Sequence, residues 1–514
     1  MYKIVLDDSK WEIIETNTFE KVDLNTFDIS LNPIQNKLFN HDVFDINDST
    51  ITIIHSPTRM NKYNAGILDL SKTYGKDKKC LYLCRPDDKR LPSFLIPYEI
   101  PPSFEKMKKQ LYITFEFKKW EEHPMGTITQ NLGPVDIPEN YYEYMLYCKS
   151  LNISIQPFTK DVLKVLKQQT QKDIMQQICK KYNIQERKER VFTIDSKQSI
   201  DRDDGLSISN GQVSVYIAYV PIILDYLNLW NSFTNRISTI YLPDKKRSML
   251  PSVLSQLCSL EEGEERICFI MDIIDGTYTF SLGKVKIHKN YCYEDESLIK
   301  DKDYIALKDY FKTKNSHDLI ENAMILLNQE CTKEIKRFKN GIYKYITNMD
   351  FETNNPYLLE SRHKMSCYSP YQEICEYAQF TSPIRRLVDI LNLIQISFNK
   401  NIMYFEKGVE FYEDWYQKMD YMNVSMRHIR KVQTKCKLLD TFIHEQHKVF
   451  QGFVFDKIVR SDEKYKYNVY IPELKMNTSI TIQNDLEEQS DHSFKVYVFQ
   501  NEGELKKKIK LQIC

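Results

Sequence analysis

No apolar run in the sequence approaches the roughly 18 residues of a membrane-crossing helix, so neither a helical membrane anchor nor a membrane partner is expected. No cysteine pair has the spacing of a zinc module. The twelve cysteines are scattered, and the nearest to a pair, Cys80 and Cys84, sit in the strand-like run "KCLYLC". They read as reduced thiols of a cytoplasmic protein. No charge of either sign prevails, Lys+Arg and Asp+Glu both standing at 71, so any nucleic-acid surface must be a local basic patch. Lys106, Lys108 and Lys109 are one candidate; a helix carrying Arg427, Arg430, Lys431, Lys435 and Lys437 is another. Glycine is scarce, with 13 residues, beside abundant Lys, Asn, Ile and Tyr; this reads as the coding bias of an AT-rich genome more than as function. Asp7, Asp8, Glu12 and Glu15 near the N-terminus argue against a signal or transit peptide, which makes cytoplasmic the expected location.

What is present fits a multidomain α+β protein. With 514 residues the chain is too long for one ordinary core, and 42% hydrophobic residues suffice for globular folding. Up to about residue 125, short β-branched and aromatic runs such as "STITIIHSP", "NAGILDL", "SFLIPYEI" and "LYITFEF" alternate with turn residues, which predicts one or two small β-barrels. The pattern is helical from Asn140 to about Tyr182. Strands return with "VFTID" and "GLSI", and Asn210-Gly211 marks a hairpin before "VSVYIAYVPII". Two longer helices follow. One keeps Ile320, Met324, Leu327 and Cys331 in helical register; the other sets Leu387, Ile390, Leu391 and Ile394 on one side. From about Lys448 a last run of strands predicts a five-stranded barrel of OB type.

Two stretches carry chemistry. "FTIDSKQSIDRDDGLSI" crowds Asp195, Asp201, Asp203 and Asp204 into ten residues, offset locally only by Lys197 and Arg202. The strand should end at Asp195, and Asp201 and Asp203 have the period of one strand face. Carboxylates this close repel unless a cation binds among them, and oxygen-only ligands suit Mg²⁺ or Mn²⁺; a solvated acidic loop is the alternative. In "YAQFTSPIRRLVDIL", Ser382 reads as a helix N-cap and Pro383 as the first helical residue. That would place Arg385 and Arg386 in the first turn, where an anion such as a phosphate would make sense of two cations; pairing with nearby carboxylates is the plainer reading. A carboxylate-bound metal beside such arginines is the equipment for phosphodiester hydrolysis.

At this point the sequence resembles the RNB family, the exoribonucleases of RNase II, RNase R and exosome-nuclease type. The aspartate stretch and "FTSPIRR" carry the likeness. Between them "RISTIYLPDKKRSMLPSVLSQLCSLEEGEER" and "IENAMILLN" keep the family's order, and "CRPDDKRLPSFLIP" upstream resembles a cold-shock barrel. The resemblance implies a 3'→5' exoribonuclease that uses Mg²⁺, with Mn²⁺ as the alternative, to hydrolyse single-stranded RNA to nucleoside 5'-monophosphates. It implies a reduced first cold-shock-like region at 1–60, a second cold-shock-like OB barrel at 61–130 and a helical connection at 131–185. An RNB catalytic domain at 186–445 and an OB-like RNA-binding barrel at 446–514 complete the expected order.

Carried over by position, Asp195, Asp201 and Asp204 hold the metal site directly or through water. Asp203 belongs to the same set and is essential to the chemistry. Arg385 stabilises charge on the scissile phosphate, with Arg386 in support. Tyr241 stacks on a base near the RNA 3' end, and Tyr293 and Glu321 contact the sugar and favour RNA over DNA. A monomer is expected; membership of a larger RNA-decay complex is left open. The chain departs from the family pattern at Tyr219, where Asp is usual, at Leu387 in place of a frequent Tyr, and at Leu393 in place of a common His. The alternative is a catalytically silent RNA-binding protein of the same fold, usually betrayed by a lost aspartate; here all four are present.

Overall fold

The structure is a computed structural model. It describes residues 1–7, 10–22, 32–47, 50–77, 79–102, 108–167, 169–345, 366–370, 377–445, 448–500 and 507–514. Two compact units emerge, one of Met1–Asn152 with Val432–Gln451 and His492–Cys514, the other of Ile153–Lys431 with Gly452–Asp491.

In the first unit, the region expected to be a reduced barrel carries a five-stranded sheet. Its order is Lys21–Val22, Lys10–Glu15, Tyr2–Asp7, Val43–Asn47, Thr50–His55. Alternate residues of these strands face one way, so Ile4, Ile13 and Phe44 meet Leu38 in a small apolar core. The strands Asn64–Asp77, Lys79–Pro86, Phe94–Pro97, Leu111–Trp120 and Pro124–Pro134 then close into a barrel. Phe94, Ile96, Ile113 and Phe115 fill it, joined by Phe39. Cys84 points into this core and is fully buried. A Cβ on Gly66 would stand 2.5 Å from its Sγ, so that position takes no side chain. Among the described residues every cysteine is a free thiol.

The second unit is built on a six-stranded sheet. Its order is Gln185–Glu186, Thr277–Cys292, Val191–Asp195, Asp204–Ser209, Gln212–Ala218, Glu265–Ile274. The last of these also pairs with Thr277–Cys292, so the pairing returns on itself. Asn210 and Gly211 both have positive φ, 50° and 81°, as the tight hairpin requires. The helix Ser316–Arg337 buries Ile320, Leu327 and Cys331, with Met324 half-buried. The helix Leu387–Asn399 departs from the expected one-sided pattern: nearly all of its residues are buried. Its polar residues are accommodated by hydrogen bonds rather than water. Asn392 accepts from Ile342 N–H at 2.8 Å and donates to the carbonyls of Ile342 and Gln379 at 2.9 and 3.1 Å.

The last five strands form one sheet, in the order Met476–Ile482, Tyr465–Ile471, Phe450–Val459, Ser490–Gln500, Lys507–Ile513. The fold is thus mixed α and β throughout, with β-sheet at both ends. Among the described residues no helix is long and apolar enough to cross a membrane.

Candidate active site

The aspartates are delivered by the end of the central sheet. Val191–Asp195 runs parallel to the end of Thr277–Cys292, Asp195 opposite Cys292, and Tyr293 N–H donates to the Asp195 carbonyl at 3.0 Å. The loop that follows is tied down by its backbone. Arg202 N–H donates to Ser259 Oγ, Leu260 N–H to the Arg202 carbonyl, and Ala218 N–H to the Asp203 carbonyl. The next strand begins only at Asp204. Asp201 and Asp203 therefore do not share a strand face as their spacing suggests; they lie in the loop and their side chains take different partners.

Asp201 is 8% exposed, and its Oδ2 accepts from Lys246 Nζ at 2.6 Å. Asp203 is 2% exposed, and both its oxygens are engaged. Oδ1 accepts from Ile384 N–H at 2.8 Å and Oδ2 from Arg385 Nε at 3.1 Å. Burial lifts the Asp203 carboxyl to about 7 even though Arg385 and the Ile384 N–H favour its charged form. Asp195 and Asp204 are different. Asp195 Oδ2 is buried with no hydrogen-bond partner, the nearest cation being Arg202 Nε at 3.9 Å. Burial raises its carboxyl above the usual range. Asp204 is half-buried, and burial together with the charges of Asp195 and Asp203 lifts it to about 8. Among the described residues no three His, Cys, Asp or Glu side chains form a ready-made metal cage. The all-oxygen chemistry of the pair, the orphaned Asp195 oxygen and the crowding of Asp204 by Asp195 and Asp203 nevertheless fit a hard divalent cation.

The arginine segment also departs from its expected form. The Ser382 carbonyl accepts from Arg385 and Arg386 N–H at 3.2 and 3.0 Å, closing a turn. The chain then runs extended: Ser238 bridges Arg386, Thr239 N–H donates to the Arg385 carbonyl at 3.0 Å, and Leu387 N–H donates to the Ile237 carbonyl at 2.9 Å. The helix starts at Leu387, with Arg386 as its N-cap at φ −139°. Ser382 is not the cap, and the two arginines precede the first turn rather than occupying it. Asp389, in that turn and fully buried, accepts from Ser382 N–H at 2.7 Å and from Arg386 Nη2 at 2.8 Å. This is the charge the helix dipole favours there. Arg386 is thereby a fastening of the turn. Arg385 keeps 44% of its side chain exposed while Asp203 holds its Nε.

Of the remaining expected residues, Tyr241 and Tyr293 feel the charge of Arg385. Tyr241, 46% exposed, lies on the short hairpin Ile240–Tyr241/Lys246–Arg247, opposite Lys246. Burial pushes its hydroxyl up while the Arg385 charge acts in the opposite direction. Tyr293 is pushed up to about 12 by burial and by Asp204 and Asp195. Its ring stacks on His317, centroids 3.7 Å apart and planes 11° apart. Glu321 is exposed one helical turn beyond His317 on Ser316–Arg337. His317, Lys246 and the Ile384 N–H were not anticipated; each is recruited by long-range packing and carries no local sequence signal. The substituted family positions are apolar or core. Tyr219 is buried with its hydroxyl 2.7 Å from Ser397 Oγ, and Leu387 and Leu393 are fully buried. Of the basic patches, Lys106 lies outside the described residues. Lys109 pairs with Asp136 at 3.0 Å, and Arg427, Lys431 and Lys437 are exposed. Arg430 is half-buried.

The raised carboxyls set a pH dependence. Asp203 and Asp204 bind protons more readily folded than unfolded, so the stability linked to them is fully present below about pH 4 and is lost as pH rises through about 7 to 8. In EDTA, the thermal midpoint should fall between about pH 6 and 8.5, and Asp204→Asn should flatten that fall. Mg²⁺ should raise the wild-type midpoint more at the higher pH. Equal slopes in wild type and Asp204→Asn would remove the basis for this charge assignment.

Residues 184–289 match the RNB domain. The chain is 30% identical over 215 residues to DIS3-like exonuclease 2 of Schizosaccharomyces pombe, covering 38% of this chain and 23% of that protein. RNase R of Mycoplasma genitalium, solved in complex with ribose methylated single-stranded RNA, matches with a TM-score of 0.66 at 14% identity, over 99% of this chain and 100% of that one. Yeast Ssd1, a pseudonuclease, matches with a TM-score of 0.52 at 13% identity, over 88% and 69%. Residues 184–289 are therefore similar to an RNB domain, in a chain that has the fold of RNase R and spans about a quarter of the length of the DIS3-like relative it matches.

Proposed function

We propose that the chain is a divalent-metal-dependent 3'→5' exoribonuclease that hydrolyses single-stranded RNA to nucleoside 5'-monophosphates. One observation carries this reading: Asp203 anchors the half-exposed Arg385 guanidinium at 3.1 Å, on the same loop where Asp195 keeps a buried oxygen without a hydrogen bond. A cationic fork and an under-bonded carboxylate cluster are therefore joined through one residue. Asp195 and Asp204 would hold the ion, Mg²⁺ or Mn²⁺; when bound, it supplies Lewis-acid activation and neutralises their charge. Arg385 grips the phosphate oxygens opposite, its fork aligned by Asp203. The exposed ring of Tyr241 offers a stacking face to a base. The Tyr293 hydroxyl and Glu321 supply a donor and an acceptor for a ribose 2'-OH.

A second reading, a binding-only protein, is raised by the likeness to a pseudonuclease; the presence of all four aspartates and Arg385 in the sequence supports the nuclease instead. Linear RNA, circular RNA of the same sequence and matched DNA, each with Mg²⁺, distinguish these readings. Linear RNA should shorten, circular RNA should persist, and DNA should decay slowly. Tyr293→Phe should narrow the gap between RNA and DNA more than it slows RNA. Rapid cutting of the circle would refute an exonuclease; intact linear RNA would leave the binding-only protein.

A further inference from the structure

Four carboxylates face this site, yet they are not equivalent. The hairpin Ile240–Tyr241/Lys246–Arg247 reaches over the aspartate loop. Its turn is stapled by Arg247, whose Nη1 donates to Asp244 Oδ1 and to the Lys245 carbonyl, both at 2.8 Å. Lys246 is thereby fixed with its Nζ 2.6 Å from Asp201 Oδ2. The pair is well covered, Lys246 27% and Asp201 8% exposed, so water screens it far less than a surface ion pair. Asp203 is likewise committed, to Arg385 and the Ile384 N–H. Asp195 meets a cation only at 3.9 Å, Arg202 Nε, and keeps one buried oxygen without a hydrogen bond, while Asp204 is crowded by Asp195 and Asp203.

Resting on the metal reading above, we infer that Lys246 is a tethered counter-cation that takes Asp201 out of the metal-binding set. Its ammonium and a divalent ion compete for the same carboxylate. The ion is left to Asp195 and Asp204, and it is held more weakly than four acidic residues would suggest. The cross-strand pairing of Lys246 with Tyr241 means that the same ion pair also latches the Tyr241 hairpin to the aspartate loop.

Mn²⁺ titration of the metal-free full-length chain, followed by calorimetry and by the electron paramagnetic resonance signal of free Mn²⁺, tests this without any turnover. Lys246→Gln should tighten Mn²⁺ binding at least about tenfold, the order expected when a unit positive charge is removed a few ångströms from a divalent ion. Lys246→Arg should stay within about twofold of wild type, because it keeps the charge. The gain should vanish in Lys246→Gln/Asp201→Asn, where the released carboxylate is gone. Lys246→Met, which keeps the apolar stem, repeats the test should glutamine disturb the hairpin.

Wild-type affinity in both folded Lys246→Gln and Lys246→Met would overturn the inference. So would a gain that persists undiminished in the double variant. If Mn²⁺ binds wild type and is lost in Asp204→Asn while the Lys246 variants match wild type, this inference falls and the metal reading stands. If Mn²⁺ binds neither wild type nor the Lys246 variants, both fall.

Discussion

Asparagine at position 203 should slow RNA cleavage by at least about 10²- to 10³-fold, the scale of losing a principal electrostatic contributor. The substitution preserves size, and its Oδ1 can still accept from Ile384 N–H. Its amide nitrogen would face Arg385 Nε, donor against donor, where a carboxylate oxygen now stands at 3.1 Å. The guanidinium would lose its anchor and its orientation. Because Asp203 is held at about 7 by burial, removing its charge also removes a desolvation cost, so the folded protein should not be lost. The expected signature is a collapsed single-turnover rate, nearly unchanged RNA affinity and an unchanged or raised thermal midpoint. A variant that cleaves at close to the wild-type rate would show that Asp203 does no more than fill space.

Lysine at position 385 should be as damaging, although it keeps the positive charge. Arg385 uses Nε to hold Asp203 and is 44% exposed, and in the proposed role its other nitrogens take the phosphate; an ammonium has no second edge with which to do both. Turnover should fall by about 10² or more, and RNA affinity much less, the pattern of an interaction made chiefly in the transition state. Arg386 and Asp389 provide the contrast. Asp389 is the carboxylate nearest to the two arginines in the sequence, and the structure gives it to Arg386 and to Ser382 N–H, not to Arg385. Asp389→Asn should therefore lower the thermal midpoint while the folded variant keeps most of its single-turnover rate. A fully active Arg385→Lys beside an inactive, stably folded Asp389→Asn would invert the assignment.

Much of this arrangement is legible along the chain because its causes are local. The β-branched and aromatic run "VFTID" ends its strand at Asp195, and Asn210-Gly211 supplies the two positive φ values of a hairpin. Apolar spacing brings out the helix Ser316–Arg337. What escapes is tertiary. Ser382 and Pro383 have every local mark of a helix start and do open a turn, yet pairing of Arg385 and Arg386 with Ile237–Thr239 delays the helix until Leu387. The partners of Asp201 and Asp203 lie 45 and 182 residues away. Spacing within the aspartate loop could not show that two of its four charges are neutralised by protein cations. The same holds for His317: "NSHD" shows a helix start capped by Asn315, and nothing in it shows that the His317 ring will lie against Tyr293.

The central claim is that this site splits a phosphodiester with water, leaving the phosphate on the 5' side of the released nucleoside. Mass spectrometry of the products formed from linear RNA and Mg²⁺ in H₂¹⁸O tests it most directly. The account requires nucleoside 5'-monophosphates carrying one ¹⁸O in the phosphate at early turnover. Products ending in a 2',3'-cyclic phosphate, or 5'-monophosphates free of ¹⁸O, would contradict it.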